Sequence, residues 1–370
     1  MNRRDFLKKT SLLPFSAFAG AAGLSGLSSA LGQQIPVKKY EASAPLKVGM
    51  NSYSFAKELN AVAKNRGQGM TLFQLLDYCV DPAHKFDAVD PTGYYFPNYS
   101  ATEATVPPDK FVNDLKRRAF DLGLPISGTG VGNSFTGVPF DREGKGGKTF
   151  STDEGGDRAK IAKDVERIKV WIEVAARLGA PVLRVFAGLE PSYLMKQNIA
   201  PNDPNKEEKA KKLVTWRSET FKHMVDDLHP VVEHGKKFGV IVGIQNHGDF
   251  LKNADEVIEL IKAMNSEWFG AIVDTGYFLT PDPYVDVERV LPYGVNFQIK
   301  EFARIAPSEY MTPPFVPIDL KRLVKIVRNS KYRGYLPIET LSAGKTAPYE
   351  PYKEIPPFLA RVRAAIAEQA

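Results

Sequence analysis

A single cysteine, Cys79, stands in 370 residues, which excludes an intrachain disulfide and any zinc site built on cysteine. Histidine is scarce as well: there are five. Four of them, His84, His223, His229 and His234, fall in helical or loop stretches without metal-ligand spacing and read as structural. The surplus of positive charge is small, 49 Lys and Arg against 43 Asp and Glu for a net +6. Half of it belongs to the first thirty residues, where Arg3, Arg4, Lys8 and Lys9 face a single acid, Asp5. What is left is too small and dispersed for a nucleic-acid footprint. A phosphate loop is lacking too: Gly128-Thr-Gly-Val-Gly132 misses the spacing of both the dinucleotide fingerprint and the P-loop. The remaining composition, 43% hydrophobic and 25% charged, is that of a folded chain with a sizeable core.

The amino terminus reads as an address. Asn2-Arg3-Arg4-Asp5-Phe6-Leu7-Lys8 precedes a moderately apolar stretch, Ser11 to Leu31, rich in Ala, Gly and Ser, and resembles a twin-arginine export signal. Pro14 and several glycines interrupt that stretch, so it reads as a removed leader over 1–32 rather than a stable membrane anchor. Small residues at Ser28 and Ala30 offer a peptidase site, and 33–45 reads as a linker. The expected address is periplasmic or otherwise exported, with the twin-arginine translocon as a partner in transit. That route carries folded proteins, often with a cofactor already loaded.

From residue 46 onward, short apolar runs alternate with amphipathic stretches of helical length. Eight strands are expected: Leu46–Ser52, Phe86–Asp90, Pro125–Thr129, Pro181–Phe186, Val240–Gln245, Gly270–Asp274, Val295–Lys300 and Tyr335–Glu339. Helices are expected over Thr71–Val80, Pro108–Leu122, Asp157–Leu178, Trp216–Phe238, Ala254–Met264, Val285–Leu291, Ile318–Asn329 and Pro356–Glu368. Eight consecutive βα units indicate an α/β fold, a closed (β/α)8 barrel over 46–370, with a doubly wound open sheet as the alternative. Gly137–Asp157 and Glu190–Trp216 follow strands three and four and read as lids on the active face. The charged cluster Lys206–Lys212 reads as a solvated loop, and Trp171 as barrel packing.

In such a barrel the chemistry sits at the C-terminal ends of the strands. Strand five ends in Gln245-Asn-His247, strand six in Asp274, strand seven in Gln298-Ile-Lys300-Glu301 and strand eight in Glu339. Arg184 on strand four would aim a cation at the mouth, either for substrate or for a structural ion pair. Asp90 with Tyr94 and Tyr95 after strand two, and Asn51 with Tyr53 after strand one, form a candidate sugar-contacting rim, with plain packing as the other reading.

On these segments, Gly243-Ile-Gln-Asn-His-Gly, Val273-Asp-Thr-Gly, Phe297-Gln-Ile-Lys-Glu and Gly334-Tyr-Leu-Pro-Ile-Glu, the chain resembles the sugar phosphate isomerase/epimerase group with a xylose-isomerase-like TIM barrel. The resemblance runs from about Lys47 to Ala365. It implies a divalent ion, usually manganese, magnesium, cobalt or zinc, held by Glu, Asp, His and Glu at strands five to eight. Asp274 and Glu339 match that pattern, Gln245 stands where the first Glu is usual, and Gln298 where the His is usual.

An amide oxygen can bind a hard cation, so Gln245, Asp274, Gln298 and Glu339 make a candidate Mg or Mn site, less suited to Co or Zn. His247 is the nearest nitrogen donor. An amide cannot act as a base, so Glu339 is the expected base, with His247 or Lys300 stabilising or protonating the enolate and Glu301 nearby. The expected activity is isomerisation or epimerisation of a sugar or sugar derivative by metal-assisted proton abstraction beside a carbonyl. The alternatives are a lyase or hydratase acting on a 3-keto sugar or glycoside, and a non-catalytic carbohydrate-binding barrel. The partner is a small-molecule carbohydrate, with a homo-oligomer left open.

Overall fold

The computed structural model describes residues 45–138, 156–191, 202–305, 315–341 and 348–369. The expected leader, the linker up to residue 44, and residues 139–155 and 192–201 of the two candidate lids lie outside these residues.

Eight parallel strands form the barrel: β1 Lys47–Asn51, β2 Ala88–Asp90, β3 Thr129–Gly130, β4 Val182–Phe186, β5 Ile241–Gln245, β6 Phe269–Asp274, β7 Gly294–Lys300 and β10 Tyr335–Glu339. Their order is β2-β1-β10-β7-β6-β5-β4-β3. The last strand pairs with the first, so the doubly wound alternative is set aside. Between β2 and β3 the sheet closes through one bridge only, Val89 to Ile126. Strand three is thus shorter than its apolar run implies. A Cβ at Gly128 would lie 2.8 Å from Asn296 Nδ2 and 3.0 Å from Asp90 Oδ2. The chain packs there against a buried polar pair, and the regular strand begins only at Thr129.

Nine helices are described: α1 Ala56–Ala63, α2 Leu72–Val80, α3 Asp109–Asp121, α4 Arg158–Leu178, α5 Lys206–Phe238, α6 Ala254–Met264, α7 Pro283–Val290, α8 Leu320–Asn329 and α9 Pro351–Glu368. Helix α4 shows why most were legible. Asp157 caps its first turn by accepting from the Lys160 amide (3.1 Å), Ile161, Val165, Ile168, Trp171, Ile172 and Ala175 line one buried stripe, and Gly179 ends it at φ 82°. Trp171 is fully buried, as packing demands.

Three helices depart from expectation. Helix α9 begins at Pro351, five residues before the expected Pro356. Helix α1 was not anticipated, because in eight residues it buries only Leu59 and so carries almost no apolar period. Helix α5 begins at Lys206, ten residues before the expected Trp216, so Lys206–Lys212 is helix rather than loop. Its early turns are largely exposed up to buried Trp216, and an exposed helix has no stripe to betray it. An extra antiparallel hairpin, β8 Phe302–Arg304 with β9 Phe315–Pro317, stands on the mouth side after β7. No helix among the described residues is long and apolar enough to cross a membrane.

Candidate active site

Strand alternation decides which side chains enter the barrel. On β7 a bulge sets the phase: Ala271 and Ile272 face Gly294 and Asn296, leaving Val295 unpaired. From there Asn296, Gln298 and Lys300 share the inward face. Asp274 stands beside Gln298 in register, and Glu339 beside Lys300.

These residues meet. Gln245 Nε2 donates to Asp274 Oδ2 (2.6 Å) and Gln298 Oε1 (2.8 Å). Lys300 Nζ is ion-paired with Glu339 Oε1, lies 3.3 Å from Asp274 Oδ2 and donates to Gln298 Oε1 at 3.4 Å. Gln245, Asp274, Gln298, Lys300 and Glu339 are all buried. The Gln298 amide has a second orientation, in which its nitrogen donates to Glu339 Oε2 (3.1 Å) and Asp274 Oδ2 (3.2 Å) and its oxygen accepts from Asn51 Nδ2 (3.1 Å). Turned alone, it would set two amide nitrogens 2.8 Å apart, so the Gln245 and Gln298 amides are coupled. In the first orientation three oxygens converge and need a positive charge, and Lys300 supplies it. In the second, amide N–H groups satisfy the carboxylates.

That arrangement does not fit a divalent ion held as in the resemblance. An ammonium already stands among three of the four expected ligands. Among the described residues no group of three or more His, Cys, Asp or Glu could hold a metal. His247 lies just beyond the end of β5, where strand alternation no longer governs, and its ring packs against Phe186 (centroids 4.6 Å) and Tyr277 (4.8 Å). Tyr277 in turn lies 5.3 Å from Lys300 Nζ.

Of the other expected residues, Arg184 is buried at the mouth. It stacks on Phe186 at 4.0 Å, and donates to the Tyr94 hydroxyl and the Val131 carbonyl, both at 3.2 Å. Asp90 accepts from Asn296 Nδ2 (3.0 Å). Burial pushes its carboxyl up to about 6, with Arg184 opposing. Asn51 caps the turn after β1 by accepting from the Tyr53 amide (2.9 Å) and reaches the cluster only through Gln298. Tyr95 is buried in the apolar core. Glu301 borders the cleft over Lys300 and Glu339, but its carboxylate pairs with Arg361 of α9, the partner that an outward-facing position selects.

Sequence reasoning missed Asn246 and Asn296. Asn246 clamps Asp274 by two bonds, Nδ2 to the Asp274 carbonyl (2.8 Å) and the Asp274 amide to Oδ1 (2.9 Å). Asn296 was legible as the first of three polar residues at period two, Asn296, Gln298 and Lys300.

Burial also raises Asp274 to about 6, against the pull of Lys300 and with the push of Glu339. Asp249, in the loop after β5, is raised to about 7 by burial, with the Leu251 and Gly188 amides opposing. A carboxyl whose folded pKa lies above its unfolded one binds its proton more tightly when folded, so stability falls as pH rises from about 4 to 7. Asp249→Asn is expected to remove roughly 3 kcal/mol of that decline. Urea unfolding at pH 4.5 and pH 8 checks it, and an unchanged difference between the two pH values would refute it.

Residues 82–362 match the sequence profile of the Xylose isomerase-like TIM barrel family. The chain belongs to that family. No curated protein sequence matches it. Among solved structures it is similar to 3-keto-D-glucoside 4-epimerase YcjR from E. coli, at 12% identity and TM-score 0.55, over 86% of this chain and 99% of that one. It is also similar to D-psicose 3-epimerase determined with D-fructose, at 15% identity and TM-score 0.52, over 87% and 97%. A third, a xylose isomerase-like barrel from Mycobacterium smegmatis in complex with magnesium, shares 17% identity at TM-score 0.51, over 88% and 99%. At these identities the likeness is one of fold. Members of the family commonly use divalent metals.

Proposed function

We propose that this protein is a sugar isomerase or epimerase that moves a proton on the carbon beside a carbonyl of a free sugar or sugar derivative, with Glu339 as the base. The observation that carries the reading is the buried Glu339–Lys300 pair at the C-terminal mouth of the barrel, with the Phe186–His247–Tyr277 wall near Lys300. Aromatic faces suit the apolar faces of a pyranose or an open-chain sugar. The relatives that act on 3-keto-D-glucosides and on D-psicose support the substrate class. Export by the twin-arginine route, proposed from the leader, favours a sugar without phosphate.

In this reading the carbonyl oxygen lies against Lys300 and the adjacent C–H against Glu339. Glu339 takes the proton, the C–H electron pair forms the enolate double bond, and the oxygen gathers charge facing the ammonium. Transfer of the hydroxyl proton of the deprotonated carbon to the former carbonyl oxygen, with return of the proton by Glu339 to the former carbonyl carbon, completes an aldose–ketose shift. Return on the opposite face, an epimerisation, needs a second acid, for which His247 is the nearest candidate.

A lyase reading shares the enolate. It is favoured by Gln245, an amide where the resemblance places a second carboxylate, because elimination needs one base only. Incubation with aldoses, ketoses and 3-keto glycosides in D₂O separates them. Deuterium beside the carbonyl without loss of aglycone is the expected result, released aglycone assigns the lyase, and neither outcome across the panel contradicts both.

A further inference from the structure

Resting on the barrel mouth as the reaction site, the geometry points to Lys300 Nζ as the resident cation of this site, standing in for the divalent ion of related barrels, so that the enzyme organises its carboxylates and works without bound metal.

Position is the first argument. The ammonium is ion-paired with Glu339, 3.3 Å from Asp274 Oδ2 and 3.4 Å from Gln298 Oε1, touching three of the four side chains that a metal at this place would use. The second is that the lysine is built in. A Cβ at Gly276 would lie 2.6 Å from Lys300 Cγ and 3.0 Å from its Cβ, so the missing side chain at 276 is the trough in which the lysine stem lies. The Lys300 amide donates to Thr275 Oγ1 (2.9 Å), the strand register sets it beside Glu339, and its head lies 5.3 Å from the Tyr277 ring centre.

Charge is the third. Two carboxylates and one ammonium leave a single net negative charge, and a divalent ion on the same oxygens would lie within a few ångströms of the ammonium, a strong repulsion among buried groups. The two glutamines complete the picture, because a neutral amide can turn an N–H to a carboxylate where an ionised Glu could only repel it.

The consequence for chemistry is a hydrogen-bonding cation in place of a Lewis acid. Lys300 keeps its protons throughout. It donates to the carbonyl oxygen as the C–H electron pair forms the enolate double bond and the carbonyl π pair moves onto that oxygen, while the proton itself goes to Glu339 and returns from it.

The test reads metal binding directly and needs no substrate. Native mass spectrometry and thermal melting with and without about 1 mM Mn²⁺, a concentration that would saturate a family-type site, are run on chelator-treated wild type and on Lys300→Met. The wild type is expected to carry no ion and to keep its melting temperature. Lys300→Met, with the oxygens freed of the ammonium, is expected to gain on the order of 5 °C with Mn²⁺. If that variant does not fold, Lys300→Gln takes its place. A stoichiometric ion or a matching shift in the wild type overturns the inference, and so does a variant that stays as blind to Mn²⁺ as the parent, since the lysine is then not what holds the position. Failure of every sugar in the D₂O panel would sink the isomerase reading while leaving this result standing, and the two failures are thereby told apart.

Discussion

Replacing Glu339 by Gln is expected to lower kcat about 10³-fold while KM and the melting temperature move little, because the amide keeps the shape of the side chain but cannot take up a proton. The side chain ends β10 and is paired with Lys300. In the variant Lys300 keeps Asp274 Oδ2 at 3.3 Å, so the ammonium is not left alone in the barrel. A loss confined to kcat separates a proton-transfer role from a binding one, for which KM would rise with kcat unchanged. Steady-state rates on a sugar that exchanges in D₂O, with circular dichroism as the check on folding, decide it. Full retained turnover removes Glu339 as the base.

Asn246→Ala is expected to cost stability rather than chemistry alone, about 2–4 kcal/mol by denaturant unfolding. The side chain is buried and makes two hydrogen bonds to the backbone amide and carbonyl of Asp274, at 2.9 and 2.8 Å. Truncation leaves both peptide groups without that partner in a dry interior, at about 1–3 kcal/mol each. Since Asp274 is the carboxylate to which Gln245 and Lys300 both turn, its displacement should lower turnover as well. An unchanged midpoint would show that water replaces the clamp without cost.

The fold was legible where burial imposes a period. All eight barrel strands were anticipated, since parallel strands covered on both faces read as short apolar runs. Helices with a buried stripe, such as Ala254–Met264, were found to the residue. Elements with little to bury were not: α1 hides only Leu59, and the first turns of α5 are largely exposed. Strand three was over-read because its apolar run starts at Pro125, whereas regular pairing begins only past Gly128, where the Asp90–Asn296 pair claims the space.

The candidate site was legible to the extent that inward alternation is. Gln245, Asp274, Gln298, Lys300 and Glu339 were selected as strand ends, and they come together. Their mutual relation was not readable. Ligand-like residue types at ligand-like positions imply an ion, yet which amide atom faces a carboxylate, and whether a lysine two residues beyond Gln298 folds back among them, depends on the Val295 bulge and on the trough at Gly276. Neither leaves a mark in composition or spacing. Tyr95 and Glu301 show the opposite error: each is adjacent in sequence to the mouth but is directed by packing to the core or by an outer ion pair to Arg361.

A structure of the protein soaked with a ketose or a 3-keto sugar tests the central claim most directly. The account predicts the carbonyl oxygen within about 3 Å of Lys300 Nζ and the adjacent carbon facing Glu339, at hydrogen-bond-like reach for its proton. A sugar seated away from that pair, or a divalent ion between Asp274 and Glu339 with Lys300 swung aside, would contradict it.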